Sequence, residues 1–401
     1  MTDRPLHALL LPPAAAGRLL DALAAALDGS GPAILPLDPR LPPARVAALL
    51  DAFAPAAVET PEGTRRWPPD GAGAGHGGGR GNVPGEVAVV IASSGSTGEP
   101  KGAQLAASAL LHSARASLDR IGAGAGERWL CPLPTSHVAG LGILVRSLVG
   151  GTTPVVVTRL DDGACPAAAG CTRTSLVPTQ LRRLLAAGAD LARFGTILLG
   201  GAAVPAGLLA AARAAGVRVV TTYGMTETCG GCVYDGVPLE GVSVRTGTGG
   251  RIEITGAVLF SGYRLRPDLT RRVMAGGWLV TPDVGAVDAG RLAVRGRADE
   301  MINTGGEKVA PAEVAAALER CPGVREAVVI GEPDPEWGER VTAVVVPDDP
   351  AHPPALPALR AGVMRRMPHY AAPRALILVA EVPLLASGKP DLAALRGLSQ
   401  G

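Results

Sequence analysis

The chain has 401 residues, of which 47% are hydrophobic and 18% charged, with Lys plus Arg at 38 against Asp plus Glu at 36. This near-neutral balance, with only 3% aromatic residues, gives no electrostatic or base-stacking case for nucleic acid or an anionic membrane surface. No uninterrupted apolar run reaches the roughly 18–20 residues of a membrane-spanning helix, and the length suits roughly two to four domains with a sizeable core.

In chain order, the first 27 residues, broken by Pro12, Pro13, Arg18 and Asp21, read as an amphipathic helix rather than a signal peptide. A strand "PAILPL" and a helix "PPARVAALLDAF" follow. Residues 61–86 are rich in Gly and Pro, lack periodicity and are expected to be a flexible connector. From 87 onward, short apolar strands ("VAVVIA", "PVVVT", "TSLVP", "TILLGG", "VRVVTTYG") alternate with Ala/Leu-rich helices ("ALLHSARASLD", "PTQLRRLLAAG", "PAGLLAAARAAG"). That alternation predicts a mostly parallel α/β sheet. After about residue 240, "GRIEITG", "GWLVT" and "GRLAVRG" predict a small antiparallel β-subdomain. Near residue 297 a last α+β module begins, giving an expected division into 1–296 and 297–401.

The stretch "SSGSTGEPKG" (93–102) follows the apolar run at 87–92 directly. Glycines expose backbone N–H groups and hydroxyls add donors, so Ser93, Ser94, Gly95, Ser96, Thr97 and Gly98 suit phosphate oxygens, with Lys101 supplying charge. A Walker loop needs Gly-Lys-Ser/Thr in succession, whereas Lys101 stands between Pro100 and Gly102. A plain Ser/Gly turn leaves the four hydroxyls and the lysine unexplained.

The string resembles instead the phosphate loop of the adenylate-forming superfamily of acyl-CoA synthetases, luciferases and peptide-synthetase adenylation domains. Five further stretches resemble that superfamily's motifs in order: "GGAAVP" (200–205), "YGMTET" (223–228), "GWLVTPDVGAVD" (277–288), "GRADEMINTGGEKVAPAEV" (296–314) and "VPLLASGKPDLAALR" (382–396). The resemblance covers residues 87–396. It implies a large N-terminal AMP-binding domain with a β-subdomain and a smaller mobile C-terminal lid. It also implies ATP, Mg²⁺ and coenzyme A as reactants and cofactor.

By that resemblance Gly200, Gly201, Ala202, Tyr223, Gly224, Met225 and Thr226 surround the adenine, and Tyr223 has a flat apolar face suited to a purine. Glu227, with Thr97, is expected to hold Mg²⁺, a hard ion that favours oxygen; a charge at a helix start is the plainer reading of Glu227. Asp283 can accept from both ribose hydroxyls, Arg297 accompanies it, and Asp299 is the expected hinge. Lys389 is the expected catalytic lysine, assisted by Lys101 and His137. Gly305, Gly306 and Glu307 form the loop that the lid brings to the coenzyme A side. Making acyl-AMP converts a poorly electrophilic carboxylate into one with a good leaving group, which the thiol of coenzyme A then displaces.

The acid is expected to meet "CPLPTSHVAGLGILVRSLVGG" (131–151), through His137 and Val138. No aspartate stands there to hold an ammonium, which counts against amino-acid activation. Arg146 lies inside an apolar helix, so its guanidinium must snorkel outward or meet an anion. That anion is either a second carboxylate on the substrate or a protein Asp or Glu. "SHVAGLGILVR" together with "YGMTETCGGCVYDGVPLEGV" resembles the o-succinylbenzoate–CoA ligases of menaquinone biosynthesis, particularly actinobacterial ones. The resemblance implies that Arg146 holds the carboxylate that does not react. Two departures are Ala139, where relatives often carry serine, and "TPD" in place of "TGD".

Three rivals stand beside this reading: another acyl- or aryl-CoA ligase, a carrier-loading domain, and a metal or thiol-redox module built on Cys229 and Cys232. Six cysteines without a disulfide-like array fit a reducing, cytoplasmic setting, and a homodimer is compatible with the sequence.

Overall fold

The computed structural model describes residues 3–68, 80–94, 99–158, 160, 170–385 and 390–398, excepting the side chains of Ser94 and Ala206. Among these residues the chain builds four sheets. The first runs, edge to edge, Gly262–Tyr263, Pro100–Ala106, Val87–Ser94, Ala33–Pro36, Arg4–Leu9, Ala57–Thr60 and Gly63–Arg66, with Asn82–Val83 paired to Arg4–Leu9. The second has a parallel centre of Val219–Met225, Thr196–Leu199, Arg173–Leu176, Trp129–Cys131 and Val155–Val156, extended antiparallel by Gly230–Tyr234 and Val237–Pro238. The alternation read from the sequence is thus an α/β arrangement, divided between two sheets.

Helices Ala107–Ile121 and Val138–Val149 join the sheets. Leu110, Ala114, Leu141 and Leu144 pack with Ile34, Val89 and Ile91 of the first sheet. Ala116, Leu118, Ile121 and Ile143 pack with Trp129, Leu198 and Val220 of the second. A helix apolar all round is a helix buried on both sides, and "VAGLGILVRSLV" fits that position. Trp129 is 1% exposed and anchors the second core.

Two expectations need correction. The N-terminal stretch does not begin as a helix: Arg4–Leu9 is a buried parallel strand between Ala33–Pro36 and Ala57–Thr60, and the helix starts at Ala16. The Gly/Pro-rich 61–86 segment is structured at both ends. Gly63–Arg66 pairs with Ala57–Thr60, and Asn82–Val83 pairs with Arg4–Pro5; residues 69–79 lie outside the described residues. Arg264, 3% exposed, fastens the two flanks together. It donates from Nη1 to Asn82 O (2.6 Å), from Nη2 to Ala54 O (3.0 Å) and from Nε to Phe53 O. Burial, with Arg80 nearby, lowers its pKa to about 10, still charged at neutral pH.

The third sheet is the expected antiparallel subdomain, Val242–Thr246, Arg251–Gly256, Trp278–Asp288 and Met274–Ala275, with Arg291–Arg297 on Trp278–Asp288. The fourth comprises Glu307–Val309, Ile302–Thr304, Gly338–Pro347, Val324–Asp334 and Ala375–Leu378. It holds a core of its own in which helix Pro311–Leu318 packs Val314 and Leu318 against Val329 and Val341.

Candidate active site

The two described ends of the opening motif pair with each other as antiparallel strands. Val87–Ser94 and Pro100–Ala106 pair antiparallel with Ser93 opposite Lys101 and Ser94 opposite Pro100, and Ser93 Oγ donates to Lys101 O at 3.4 Å. Lys101 therefore rises from a strand, fixed by its ladder, rather than from a loop. Its ammonium lies 5.8 Å from the centroid of the Tyr263 ring, within cation–π range. Gly95, Ser96, Thr97 and Gly98 lie outside the described residues.

The remaining N-terminal motifs gather at the carboxyl ends of the parallel strands, where α/β sheets place their ligands. Gly200 to Ala202 follow Thr196–Leu199, and Tyr223 to Thr226 close the neighbouring strand. A Cβ on Gly200 would stand 2.2 Å from Thr222 Oγ1, and one on Gly224 would stand 2.0 Å from Gly230 O. Only glycine lets the turn after Tyr223 fold back on the next strand. Thr228 secures that turn, accepting from Met225 N (2.9 Å) and donating to Gly230 O (2.7 Å).

Tyr223 reaches across to the third sheet and donates its hydroxyl to Asp283 Oδ2 at 2.8 Å. Burial and the adjacent carboxylate both raise the phenol's pKa, so it remains a donor. Asp283 pairs with Arg297 across the ladder. Arg297 in turn holds Asp299 through two parallel bonds, Nε to Oδ1 at 2.9 Å and Nη2 to Oδ2 at 2.7 Å, with Glu300 at 3.2 Å. The guanidinium keeps the Asp299 carboxyl below its ordinary range against the opposing effect of desolvation. Tyr223, Asp283, Arg297 and Asp299 thus form one connected set.

Glu227 stands just beyond Tyr223, its backbone carbonyl accepting from Phe260 N at 2.9 Å. Tyr263 donates to its Oε1 at 2.5 Å, and burial beside that carboxylate raises the pKa of the tyrosine. One aligned carboxylate fits Mg²⁺, which takes one or two protein carboxylates and completes its shell with water and substrate phosphates.

At the other end of the site, His137 is the N-cap of helix Val138–Val149, with extended backbone at φ −108° and ψ 149°. Its ring is exposed. Gly140 makes this approach feasible, because a Cβ there would lie 2.3 Å from Pro134 O. Gln180 braces the same loop, bonding Val177 N and Pro132 O at 3.1 Å each. Val138 begins the helix and packs on the first core.

Arg146, about two and a half turns along the same helix, is partly buried. Its guanidinium stacks on Trp129 at 4.6 Å and donates from Nη2 to Ser175 Oγ at 3.1 Å. Its Nε is sealed from solvent without a hydrogen-bond partner. Desolvation lowers its pKa, opposed by the nearby Tyr234 hydroxyl and Cys131 thiol. No carboxylate pairs with it among the described residues.

Cys229 and Cys232 are buried, and both thiol pKa values are raised by desolvation, that of Cys232 to about 12. A protonated, buried thiol is a poor nucleophile. Gly305, Gly306 and Glu307 are exposed at the turn between Ile302–Thr304 and Glu307–Val309, where Gly305 N donates to Trp337 O at 2.8 Å. Lys389 lies outside the described residues. The sequence reading missed Tyr263, Ser175 and Trp129. The only available signal was scarcity: the chain has four tyrosines and four tryptophans.

Comparison with known proteins follows this geometry. The family profile described as AMP-binding enzyme matches residues 79–259, and that of its C-terminal domain matches 313–389. A protein of Mycobacterium tuberculosis named probable 2-succinylbenzoate–CoA ligase is 48% identical over 324 residues, covering 77% of this chain and 84% of its own. A feruloyl-CoA synthase of Amycolatopsis is 35% identical over 76% of this chain and 68% of its own. Among solved structures, the o-succinylbenzoate CoA synthetase of Bacillus subtilis with its acyl-adenylate intermediate superposes with a TM-score of 0.80 at 26% identity. That match covers 99% of this chain and 88% of the other.

Proposed function

The chain belongs to the AMP-binding enzymes, and from that premise we propose that it is an acid–thiol ligase converting o-succinylbenzoate and ATP to an acyl-AMP, then to the coenzyme A thioester. The observation that carries the choice of acid is Arg146. Leaving a partly buried, desolvated guanidinium with no carboxylate partner among the described residues costs several kcal/mol, by order of magnitude, and its stack on Trp129 and one hydroxyl do not neutralise it. A dicarboxylic substrate supplies the missing anion while its other carboxylate reaches His137. The named relatives of the same activity support the same acid.

The work is divided along the site. Tyr223 offers its ring to the adenine while its hydroxyl orients Asp283 toward the ribose. Ser93, Lys101 and the residues between them receive the phosphates. Glu227, with Thr97, is assigned to Mg²⁺, which supplies charge neutralisation at the phosphates when bound; Tyr263 holds the Glu227 carboxylate in orientation. His137, exposed at the helix N-terminus, stands beside the acid. Lys389 stabilises the charge that develops as the carboxylate oxygen attacks the α-phosphorus and pyrophosphate leaves, an electrostatic contribution strongest in a site shielded from water. The lid then turns about Asp299 so that Gly305, Gly306 and Glu307 face the thiol. The division at 296/297 follows from this use of Asp299. Buried free thiols fit a cytoplasmic setting, and a homodimer is compatible with the assignment.

A panel of acids with ATP, Mg²⁺ and coenzyme A tests the assignment, following pyrophosphate and thioester together. o-Succinylbenzoate is expected to exceed ferulate, benzoates and fatty acids in kcat/KM. Turnover of a monocarboxylic aryl acid without turnover of o-succinylbenzoate would transfer the assignment to the aryl-CoA ligases.

A further inference from the structure

Arg182 takes no part in the site described above. It lies on helix Pro178–Ala186 beside the second sheet, yet it reaches the fourth-sheet unit and sits between two carboxylates there. Nη1 meets Glu326 on strand Val324–Asp334, and Nη2 stands 3.8 Å from Glu319 at the end of helix Pro311–Leu318. The cluster is largely shielded: side-chain exposure is 26% for Arg182, 14% for Glu319 and 21% for Glu326. Glu319 also accepts from Ala327 N at 3.5 Å. Burial raises its pKa, and Glu326 adds to that rise while Arg182 opposes it. Two neighbouring carboxylates therefore depend on one cation from the other lobe. If the lobes separate there, the carboxylates repel each other without compensation.

In this same arrangement Gly305, Gly306, Glu307 and Lys308 are exposed and the turn rests on its own lid through Trp337. A second contact between the lobes, Arg295 with Glu313 at 3.7 Å, is open to solvent at 61% and 47% and lies close in sequence to Asp299. Exposed pairs of that kind contribute little, and one near a pivot changes little as the lid turns. The asymmetry singles out Arg182.

We propose that Arg182 is a positioning residue that latches the lid, through Glu319 and Glu326, in the arrangement serving acyl-AMP formation, and that the latch opens before thioester formation. The inference rests on the two-step reaction assigned above. It makes Arg182 a determinant of how turnover divides between the two steps without contact with either substrate.

The test separates those steps in the full-length enzyme. Acyl-AMP formation is read as the pyrophosphate burst with ATP, Mg²⁺ and acid in the absence of coenzyme A. Transfer is read as thioester formation when coenzyme A is added to enzyme already holding acyl-AMP. R182A is expected to slow the burst about tenfold, the scale of a partly shielded ion pair, and to leave transfer within about twofold. E326Q should act in the same direction, the reversed pair R182E/E326R should restore the ratio of the two rates, and R295A should leave that ratio unchanged. Equal slowing of both steps, an unchanged ratio, or slowing of transfer alone would overturn the latch. If the wild-type enzyme shows no burst, the two-step reading fails, and the latch with it.

Discussion

In the proposed site, the nucleotide end and the acid end are built on opposite principles. At the nucleotide end three pairs are completed by the protein: Tyr223 binds Asp283, Tyr263 binds Glu227, and Arg297 binds Asp299. These pairs fix side-chain directions before any ligand arrives, which lowers the cost of ordering them on binding. At the acid end, Arg146 keeps one hydroxyl partner and an aromatic face, its Nε is orphaned, and the His137 ring is exposed. A site that must recognise a nucleotide common to many enzymes can be completed by its own side chains. A site that must choose one acid can leave a charge incomplete so that only the correct partner neutralises it.

The largest departure expected from this division comes from outside both ends. K389A should lower the rate of pyrophosphate release about a hundredfold or more, as for other lost electrostatic donors, and should affect transfer from preformed acyl-AMP far less. A smaller, more selective effect is expected at the acid end. R146A should raise the KM for o-succinylbenzoate about ten- to a hundredfold while changing that of a monocarboxylic analogue about twofold, since only the dicarboxylate loses a charge partner. Equal changes for both acids would place Arg146 among the structural residues and remove the contrast between the two ends.

At the nucleotide end, Y263F keeps the ring that Lys101 approaches and removes only the hydroxyl that orients Glu227. Its effect should appear in the Mg²⁺ dependence of acyl-AMP formation, as a rise of about three- to tenfold in the half-saturating concentration, corresponding to one charge-assisted hydrogen bond. The KM for the acid should not move. A change confined to the acid would show that the two ends are not separately organised.

What the sequence disclosed follows the same contrast. The proposed nucleotide end lies on short contiguous motifs because backbone N–H groups, hydroxyls and glycines must be adjacent in the chain to form a turn around phosphate, so "SSGSTGEPKG" and "YGMTET" stand out as strings in the sequence. Tyr263 could not, because its tie to Glu227 spans 36 residues and depends on the first sheet gaining an edge strand at Gly262–Tyr263. Arg146 was conspicuous as a charge in an apolar helix, but Ser175 and Trp129 come from other strands and left its partner undecided. Arg4–Leu9 was read as helix because a short buried strand that leads through prolines into a helix shows no separate period. The ends of the 61–86 segment look like linker by composition, yet Arg264 ties Asn82 to Phe53 and Ala54 through main-chain carbonyls, which no side-chain pattern announces.

The smallest effect is expected at Cys229 and Cys232, which border the nucleotide end, the Cys232 thiol lying against the Thr228 hydroxyl. Both thiols are buried and held protonated, and Cys232 packs in the second core with Val233 and Tyr234. Replacing Cys232 by alanine removes only a sulfur, so kcat/KM should stay within about twofold, with about 1 kcal/mol of stability lost from the small void. Replacing it by serine puts a hydroxyl into that apolar space and should cost about 1–3 kcal/mol, read as a lower Tm with activity retained at temperatures where the protein is folded. The two variants separate packing from chemistry. Stoichiometric zinc in the purified enzyme, or equal loss of activity in both variants while folded, would make the pair part of the nucleotide end after all, whereas a Tm that falls further for serine than for alanine, with little change in rate, leaves it as a wall on which Tyr223 and Glu227 are mounted.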